Sequence, residues 1–535
     1  MGVRRTVRPE PTMLPRNGDD NMTETSRENW GTRMGFLLAA VGSAIGLGNI
    51  WRFPGEAYEG GGGAFLLPWL IALLTAGIPL LILEYTIGRR AQGAGPVAFR
   101  ALNPKAEGIA WWQVAVAILL ATFYALILSW AVSYVGFSTT SQWADEPGVF
   151  FGEEFLQAGD DIAQFGQYNG TILVALIGVW AVALFIMWRG IRKGVELANR
   201  ICIPILLLLF GALVVRSVTL DGATDGLATF FTPQWDKLTD ASIWVSAYGQ
   251  VFFSLSIGMG TMIAYASYLR RNAEITTTAV TAGFANASFE LLAGIGVFSV
   301  LGFMAAESGG NVISDEAPID GGALAFVTFP AILNEMPATE VMGLLFFGSL
   351  VVAGISSLIS MLIVPLAAFQ DRFNWSRSKS VLFIGIPMAL VSIAIYPTSN
   401  GPIILDAVDG AVTTYGLTAA GLATIITAFV SGKIKALADN ANRTSVFRIG
   451  WFWYACLGLT AVLLSYILLF QHIPQQVDTF RGVAEDANLS PTQVVVTWVI
   501  GGCSILFGVV MGMVMRHRAT PHRMDEESEE NTPSR

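Results

Sequence analysis

The stretch Gly42-Ser-Ala-Ile-Gly46-Leu-Gly48-Asn49-Ile-Trp-Arg52-Phe-Pro54 sets three glycines, an amide and an arginine inside an apolar run. The run, residues 34–51, is long enough to cross a bilayer, since a span takes roughly 17–25 residues at about 1.5 Å rise each. Glycine disfavours a helix interior by about 1 kcal/mol and permits the backbone to open. In lipid, opened backbone survives only where it is buried in protein or lines a polar cavity. This segment therefore predicts a helix broken at a site rather than a plain anchor.

A second segment of the same kind follows in the other half of the chain, Gln250-Val-Phe-Phe253-Ser254-Leu-Ser256-Ile-Gly258-Met259-Gly260. Glycines alone would also suit close helix packing of the Gly-xxx-Gly kind. The polar residues beside both breaks favour the other reading: two inverted repeats with a binding site between their broken helices.

Outward from these segments the chain is apolar almost throughout. Of 535 residues, 53% are hydrophobic and 13% charged, about half the charged fraction of a soluble domain. Further runs lie at 64–87, 113–137, 171–188, 201–220, 243–268, 279–306, 340–369, 380–396, 403–431, 451–471 and 493–515. The fold class is all-α and polytopic, with about twelve transmembrane helices. Helices 1–5 fall at about 34–220, helices 6–10 at about 242–431, and helices 11–12 at about 449–516. One membrane domain thus runs over 27–516. The polar segments 1–26 and 517–535 are expected to be disordered tails, and Met1, Met13 and Met22 are all candidate starts.

Lys and Arg set the orientation. Even-numbered connections carry Arg89, Arg90, Arg100, Lys105, Arg189, Arg192, Lys193, Arg200, Arg270, Arg271, Arg372, Arg377, Lys379, Lys433, Lys435, Arg443 and Arg448. Odd-numbered ones carry only Arg216, Lys237 and Arg481. The positive-inside rule puts both termini in the cytoplasm of a cell-membrane protein. Cys202, Cys456 and Cys503 sit far apart in apolar runs, as small core hydrophobes. Neither they nor His472, His517 and His522 show metal-ligand spacing.

Ionisable groups inside a membrane cost roughly 2.5–3.5 kcal/mol each on insertion scales and so call for a role. Arg52, Glu84, Glu290, Asp406 and Asp409 are such groups. Asn49, Ser254, Asn286, Ser356 and Ser357 add hard oxygen donors, which suit a small alkali cation better than a transition metal. Glu290 lies one turn after Asn286 on the same helix face, and Glu84 is placed to accept the free amides of the opened sixth helix.

Several uncommon motifs then occur in order: Arg27-Glu-Asn-Trp30-Gly-Thr-Arg33, Gly46 through Pro54, Gly61-Gly-Gly-Ala-Phe65 with Pro68, Gly77-Ile-Pro79 with Glu84, and Gly258-Met-Gly260 followed by Tyr265-Ala-Ser-Tyr268. From about Arg27 to Arg516 the chain resembles the neurotransmitter:sodium symporter family, in its prokaryotic LeuT-like amino-acid branch. The resemblance implies a 5+5 inverted repeat with helices 1 and 6 broken, and two sodium sites without an organic cofactor. The first site would use Ala44, Asn49, Ser254 and Asn286 with the substrate carboxylate. The second would use Gly42, Ile45, Ala353, Ser356 and Ser357.

By the same resemblance Tyr124 would bond a substrate carboxylate, and the helix start at Leu47 and Gly48 also favours an anion. Ala44, Gly46, Ser254 and Ser357 would border the substrate, while Leu47, Leu120, Phe253, Ser256, Met259 and Met361 would receive its side chain. Gly46 stands where monoamine-carrying relatives have an Asp, which implies a substrate supplying its own carboxylate: an amino acid, apolar or aromatic. Arg52 with Asp409 would close the outside, and Arg27 with Asp371 the inside. Glu290 stands where chloride-dependent relatives carry Ser, so chloride should be unnecessary.

The expected partners are thus an amino acid, sodium and the lipid bilayer, with no nucleic acid; the oligomeric state is not set by the sequence. An enzyme is not expected, because no Ser-His-Asp set is present and Gly60–Gly63 lack a P-loop Lys. The alternatives are a transporter of the same fold from a betaine or nucleobase family, and a non-transporting amino-acid sensor.

Overall fold

The computed structural model describes residues 28–143, 146–159, 166–308, 310, 312–313, 324–335, 338–481, 490–516 and 518. The expectations for the two tails, and for Arg27, lie outside these residues. Among the described residues, ten uninterrupted helices are long and apolar enough to cross a membrane. We number the spans in chain order. They are α2 (Gly63–Ala91), α3 (Pro104–Phe137), α4 (Gly170–Trp188), α5 (Ile191–Ser217), α7 (Thr276–Ala306), α8 (Thr339–Phe373), α9 (Arg377–Ile395), α10 (Gly401–Val430), α11 (Trp451–Phe480) and α12 (Pro491–Met515).

Two further helices are broken, and the first of them, taken whole, makes an eleventh span. Span α1 comprises α1a (Arg33–Ala44) and α1b (Leu47–Glu59), bent by 65° at the break. Helix α6 comprises α6a (Ala241–Ser254) and α6b (Thr261–Ala266), separated by six residues outside both helices, the first of which still donates its amide to the Val251 carbonyl at 3.2 Å. Each half of the ten-helix core therefore begins on a broken helix.

Local chemistry starts several spans where the sequence places a cap. The Thr32 hydroxyl accepts from the Gly35 amide ahead of α1a. Asn169 accepts from the Thr171 and Ile172 amides ahead of α4, and Asp240 from Ser242 ahead of α6a. Ser490 and Gln493 form a reciprocal capping box on α12.

Two helices start earlier than their apolar runs. Helix α3 extends back to Pro104 because Glu107 is buried in an ion pair with Arg372 at 2.7 Å and Arg100 at 2.9 Å. Helix α5 extends back to Ile191 because buried Glu196 accepts from the Gly31 amide and the Thr32 hydroxyl. A hydropathy window reads both carboxylates as loop.

Long α8 packs along α3, and α12 packs on the other side of α3. The second contact is close because Gly108 meets Gly508 and Gly512 backbone to backbone. Helix α1a lies among α5, α7 and α8. Both pieces of α6 lie against α2, so one continuous helix splints the broken one. On the acidic side, Trp143 is fully buried and stacks on Tyr134 at 5.6 Å. Phe150, Phe151 and Phe155 pack around the same tyrosine, whose hydroxyl donates to the Phe326 carbonyl at 3.0 Å. The aromatic residues thus pin the connection after α3 over the bundle.

Candidate functional site

The break in α1 falls on Ile45 and Gly46, both in extended backbone. A Cβ on Gly46 would lie 2.7 Å from the Ser357 hydroxyl and 3.3 Å from that of Tyr124, so only glycine lets α3 and α8 approach here. The freed Gly46 amide donates to Asn49 Oδ1 at 2.9 Å, and the Leu47 amide to the Tyr124 hydroxyl at 3.3 Å. Asn49 Nδ2 donates to Asn286 Oδ1 at 2.8 Å, and Asn286 Nδ2 to the Ser254 hydroxyl at 3.1 Å. Residues from α1, α6 and α7 that are far apart in sequence thus form one buried cluster of oxygens and amides.

A second cluster lies behind it. The Ser357 hydroxyl sits 3.5 Å from the Gly42 carbonyl and 3.4 Å from that of Ile45. Ser356 donates to the Ala353 carbonyl at 2.7 Å, so its oxygen lies on the same stretch of α8. Ala44, between these carbonyls, is buried with them.

The break in α6 is longer and more twisted. Ser256, Gly258 and Gly260 adopt φ of +52°, +90° and +79°. Glycine adopts such values at no steric cost, whereas an L side chain is strained there. The Gly258 amide donates to Glu84 Oε1 at 2.8 Å, so Glu84 from α2 does brace the opened strand. From the opposite side Gln113 Nε2 donates to the Gly258 carbonyl at 2.7 Å and to the Thr424 hydroxyl at 2.9 Å. Gln113 carried no sequence signal: one glutamine in an apolar helix points nowhere by itself. The Ser256 hydroxyl donates to the Ser43 carbonyl at 2.9 Å, tying the two breaks together.

The apolar residues expected around a substrate are buried: Leu47, Leu120, Met259 and Met361. Phe253 is half-buried, and its ring lies on the backbone of Gly48, where a Cβ would meet it at 2.5 Å. The Arg52 guanidinium also sits over that ring, 4.9 Å from its centroid.

Arg52 differs from expectation in its ion pair. Its partner is Glu56, at 3.1 Å and one turn along the same helix, and the expected pair with Asp409 is not formed. The reason is local: Glu56 needs no movement of α10 to reach the guanidinium, and Asp409 is half-buried on that other helix.

On the basic side, Asp371 accepts from the Ala94 amide at 2.7 Å, while Arg27, its expected partner, lies outside the described residues. Trp30 is buried on the same side. Its indole donates to the Tyr265 carbonyl at 2.9 Å and meets the Tyr265 ring edge-on at 5.3 Å. Beside it Arg33 pairs with Glu274 at 2.8 Å. Burial pushes the Glu274 carboxyl up, but hydrogen bonds from Thr276 and Thr277 and the charge of Arg33 outweigh it and hold the group below the usual range.

Glu290 is buried one turn from Asn286. It accepts from Gln250 Nε2 at 2.6 Å and from the Trp69 indole at 3.0 Å. A carboxylate thus stands at the edge of the first oxygen cluster, with donors on both oxygens.

The two broken helices thus set freed carbonyls, hydroxyls and amides facing one another in the buried middle of the bundle. The chain is 37% identical to an uncharacterized sodium-dependent transporter of Methanocaldococcus jannaschii, over 84% of this chain and 91% of that one. It is 28% identical to the sodium-dependent serotonin transporter of Drosophila melanogaster, over 84% and 77% of the two chains. The crystal structure of MhsT in complex with L-phenylalanine superposes with a TM-score of 0.70 at 31% identity, covering 83% of this chain and 99% of MhsT. The family description Sodium:neurotransmitter symporter family matches residues 27–147 and 138–519. The chain therefore belongs to the sodium:neurotransmitter symporter family, as a multi-pass, sodium-coupled symporter with the LeuT-like fold.

Proposed function

We propose that the protein carries an amino acid with an apolar or aromatic side chain into the cell, together with two sodium ions, by alternating access and without chloride. The observation that carries this reading is the constellation at Gly46. The Tyr124 hydroxyl and the amides at the start of α1b form a donor set for a carboxylate. No acid stands at Gly46 to pair an amine, and the buried or half-buried Leu47, Leu120, Phe253, Met259 and Met361 would form an apolar wall for the side chain. That MhsT binds L-phenylalanine supports the same substrate class.

Two cation sites fit the residues present. The first would take the Ala44 carbonyl, Asn49, Ser254, Asn286 and the substrate carboxylate. The second would take the carbonyls of Gly42, Ile45 and Ala353 with the hydroxyls of Ser356 and Ser357. Oxygens about 2.4 Å from one small hard cation, at right angles to each other, lie about 3.4 Å apart. The Ser357 hydroxyl stands 3.4 and 3.5 Å from its two carbonyls, long for good hydrogen bonds but suited to sharing an ion.

Trp30 with Tyr265 would form the inner closure, aided by Asp371, and Arg52 over Phe253 the outer one. Solvated ion pairs contribute about 0–1 kcal/mol, which suits gates that must reopen. Both termini would face the cytoplasm. Glu290 would supply the negative charge that a chloride ion gives in chloride-dependent relatives.

The test is binding of radiolabelled aliphatic, aromatic and polar amino acids to the purified protein, in sodium and in potassium. Saturable binding of an apolar group in sodium alone supports the proposal, and binding indifferent to sodium contradicts it. Glu290→Ser should make transport respond to chloride; a variant that transports equally well with and without chloride would refute the role of Glu290.

A further inference from the structure

At the basic end of the bundle, beneath the start of α1a, lies a cleft of about 270 Å³ between the α4–α5 turn and residues Gly31 and Thr32. Its cations are Arg189, Arg192, Lys193 and Arg200, and its one acid is Glu196. Glu196 is committed: it accepts from the Gly31 amide at 2.7 Å, the Thr32 hydroxyl at 3.0 Å and Arg200 at 2.9 Å. The neighbouring Glu28 is committed too, to Arg377 at 3.1 Å and to the Arg192 backbone amide at 3.0 Å. Among the described residues, the side chains of Arg189, Arg192 and Lys193 have no carboxylate within 4.0 Å.

The rim of the cleft is apolar and exposed. Phe185 is 55% exposed, Trp188 53% and Leu197 46%. Arg189 lies 5.9 Å from the Phe185 ring, and the Trp188 indole donates to Ser378 at 3.2 Å, which fixes that ring beside the basic residues. An indole anchored by its N–H next to cations marks the level of lipid headgroups.

We propose that this cleft binds the phosphate of an anionic phospholipid, with Arg189, Arg192 and Lys193 on the phosphate and the acyl chains against Phe185, Trp188 and Leu197. A free phosphate would share the cationic contacts but has no use for the apolar rim. Because Gly31 and Thr32 lead directly into α1a, the bound lipid holds that half-helix in its sealed position.

The experiment uses the full-length protein in detergent and needs no transport, so it stands apart from the substrate assignment. Short-chain phosphatidylglycerol, short-chain phosphatidylcholine and inorganic phosphate are each titrated while intrinsic tryptophan fluorescence is recorded. Phosphatidylglycerol should saturate, with the other two binding at least about tenfold more weakly. Arg192→Gln with Lys193→Gln should weaken phosphatidylglycerol roughly tenfold to thirtyfold, since each basic residue near an anionic surface contributes about fivefold. Lys433→Gln with Lys435→Gln, a basic pair elsewhere, should leave it within twofold. If the first pair does not fold, Arg192→Gln alone should give roughly fivefold. Equal binding of phosphatidylcholine, or unchanged affinity in both cleft variants, would overturn the site. Equal saturation by inorganic phosphate would overturn the lipid assignment.

Discussion

Helix α1 opens over two residues, Ile45 and Gly46, both in extended backbone, whereas α6 opens over six, with three of them left-handed. The two openings are filled differently. In α1 the freed carbonyls of Gly42 and Ile45 face a hydroxyl across a gap longer than a good hydrogen bond. In α6 the amide and the carbonyl of Gly258 are both taken at short range, by Glu84 and Gln113. In the proposed reading the first break keeps its Gly42 and Ile45 carbonyls for a ligand while its Gly46 amide is held by Asn49, and the second has both backbone groups of Gly258 held by the protein. Beside that braced segment, α6a ends on Phe253 and Ser254, and Ser256 in the break bonds the Ser43 carbonyl.

The largest test of that contrast is Asn49→Ala. It removes the acceptor of the Gly46 amide and the donor to Asn286, each costing about 1–3 kcal/mol when left unpaired in a buried place. Half-saturating sodium for substrate binding should rise about 100-fold, or the sodium response should vanish.

Next is Gly258→Ala, which places a Cβ at φ +90° and 3.0 Å from the Leu417 carbonyl. A left-handed alanine costs about 1–2 kcal/mol. Substrate affinity should fall roughly tenfold, and thermal melting should show a loss of a few degrees.

Smaller still is Gln113→Leu, which frees the Gly258 carbonyl but leaves Glu84 in place. Half-saturating sodium should rise roughly fivefold, as expected for about 1 kcal/mol. Gln113→Glu should not rescue it, because an ionised carboxylate cannot donate to a carbonyl. Smallest is Glu56→Gln, which removes a partly exposed i,i+4 pair with Arg52 worth about 0.3–0.5 kcal/mol. Transport should change by less than about twofold.

The contrast also marks what was legible in the sequence. Glycine content located both breaks, beside which hydrogen bonds join Asn49, Asn286 and Ser254 while Ser357 faces the Gly42 and Ile45 carbonyls. Glu84 was readable because a carboxyl in an apolar run must meet a donor. Gln113 was not, since its partner lies 145 residues away and nothing in either segment names the other. The early starts of α3 and α5 were hidden for a related reason. Glu107 and Glu196 are tolerated in buried helices only through partners on distant segments. At Arg52 the reverse holds: the resemblance implies a pair with the distant Asp409, while Glu56, four residues along, takes the ion pair.

The most direct test of the account is a sodium titration of labelled amino-acid binding to wild type, Asn49→Ala and Gln113→Leu, measured side by side on purified protein. The account predicts that Asn49→Ala loses its sodium response, while Gln113→Leu keeps a full response shifted roughly fivefold to higher sodium. A wild-type titration in Asn49→Ala, or an equal loss in both variants, would contradict the division between a ligand-bearing break and a braced one.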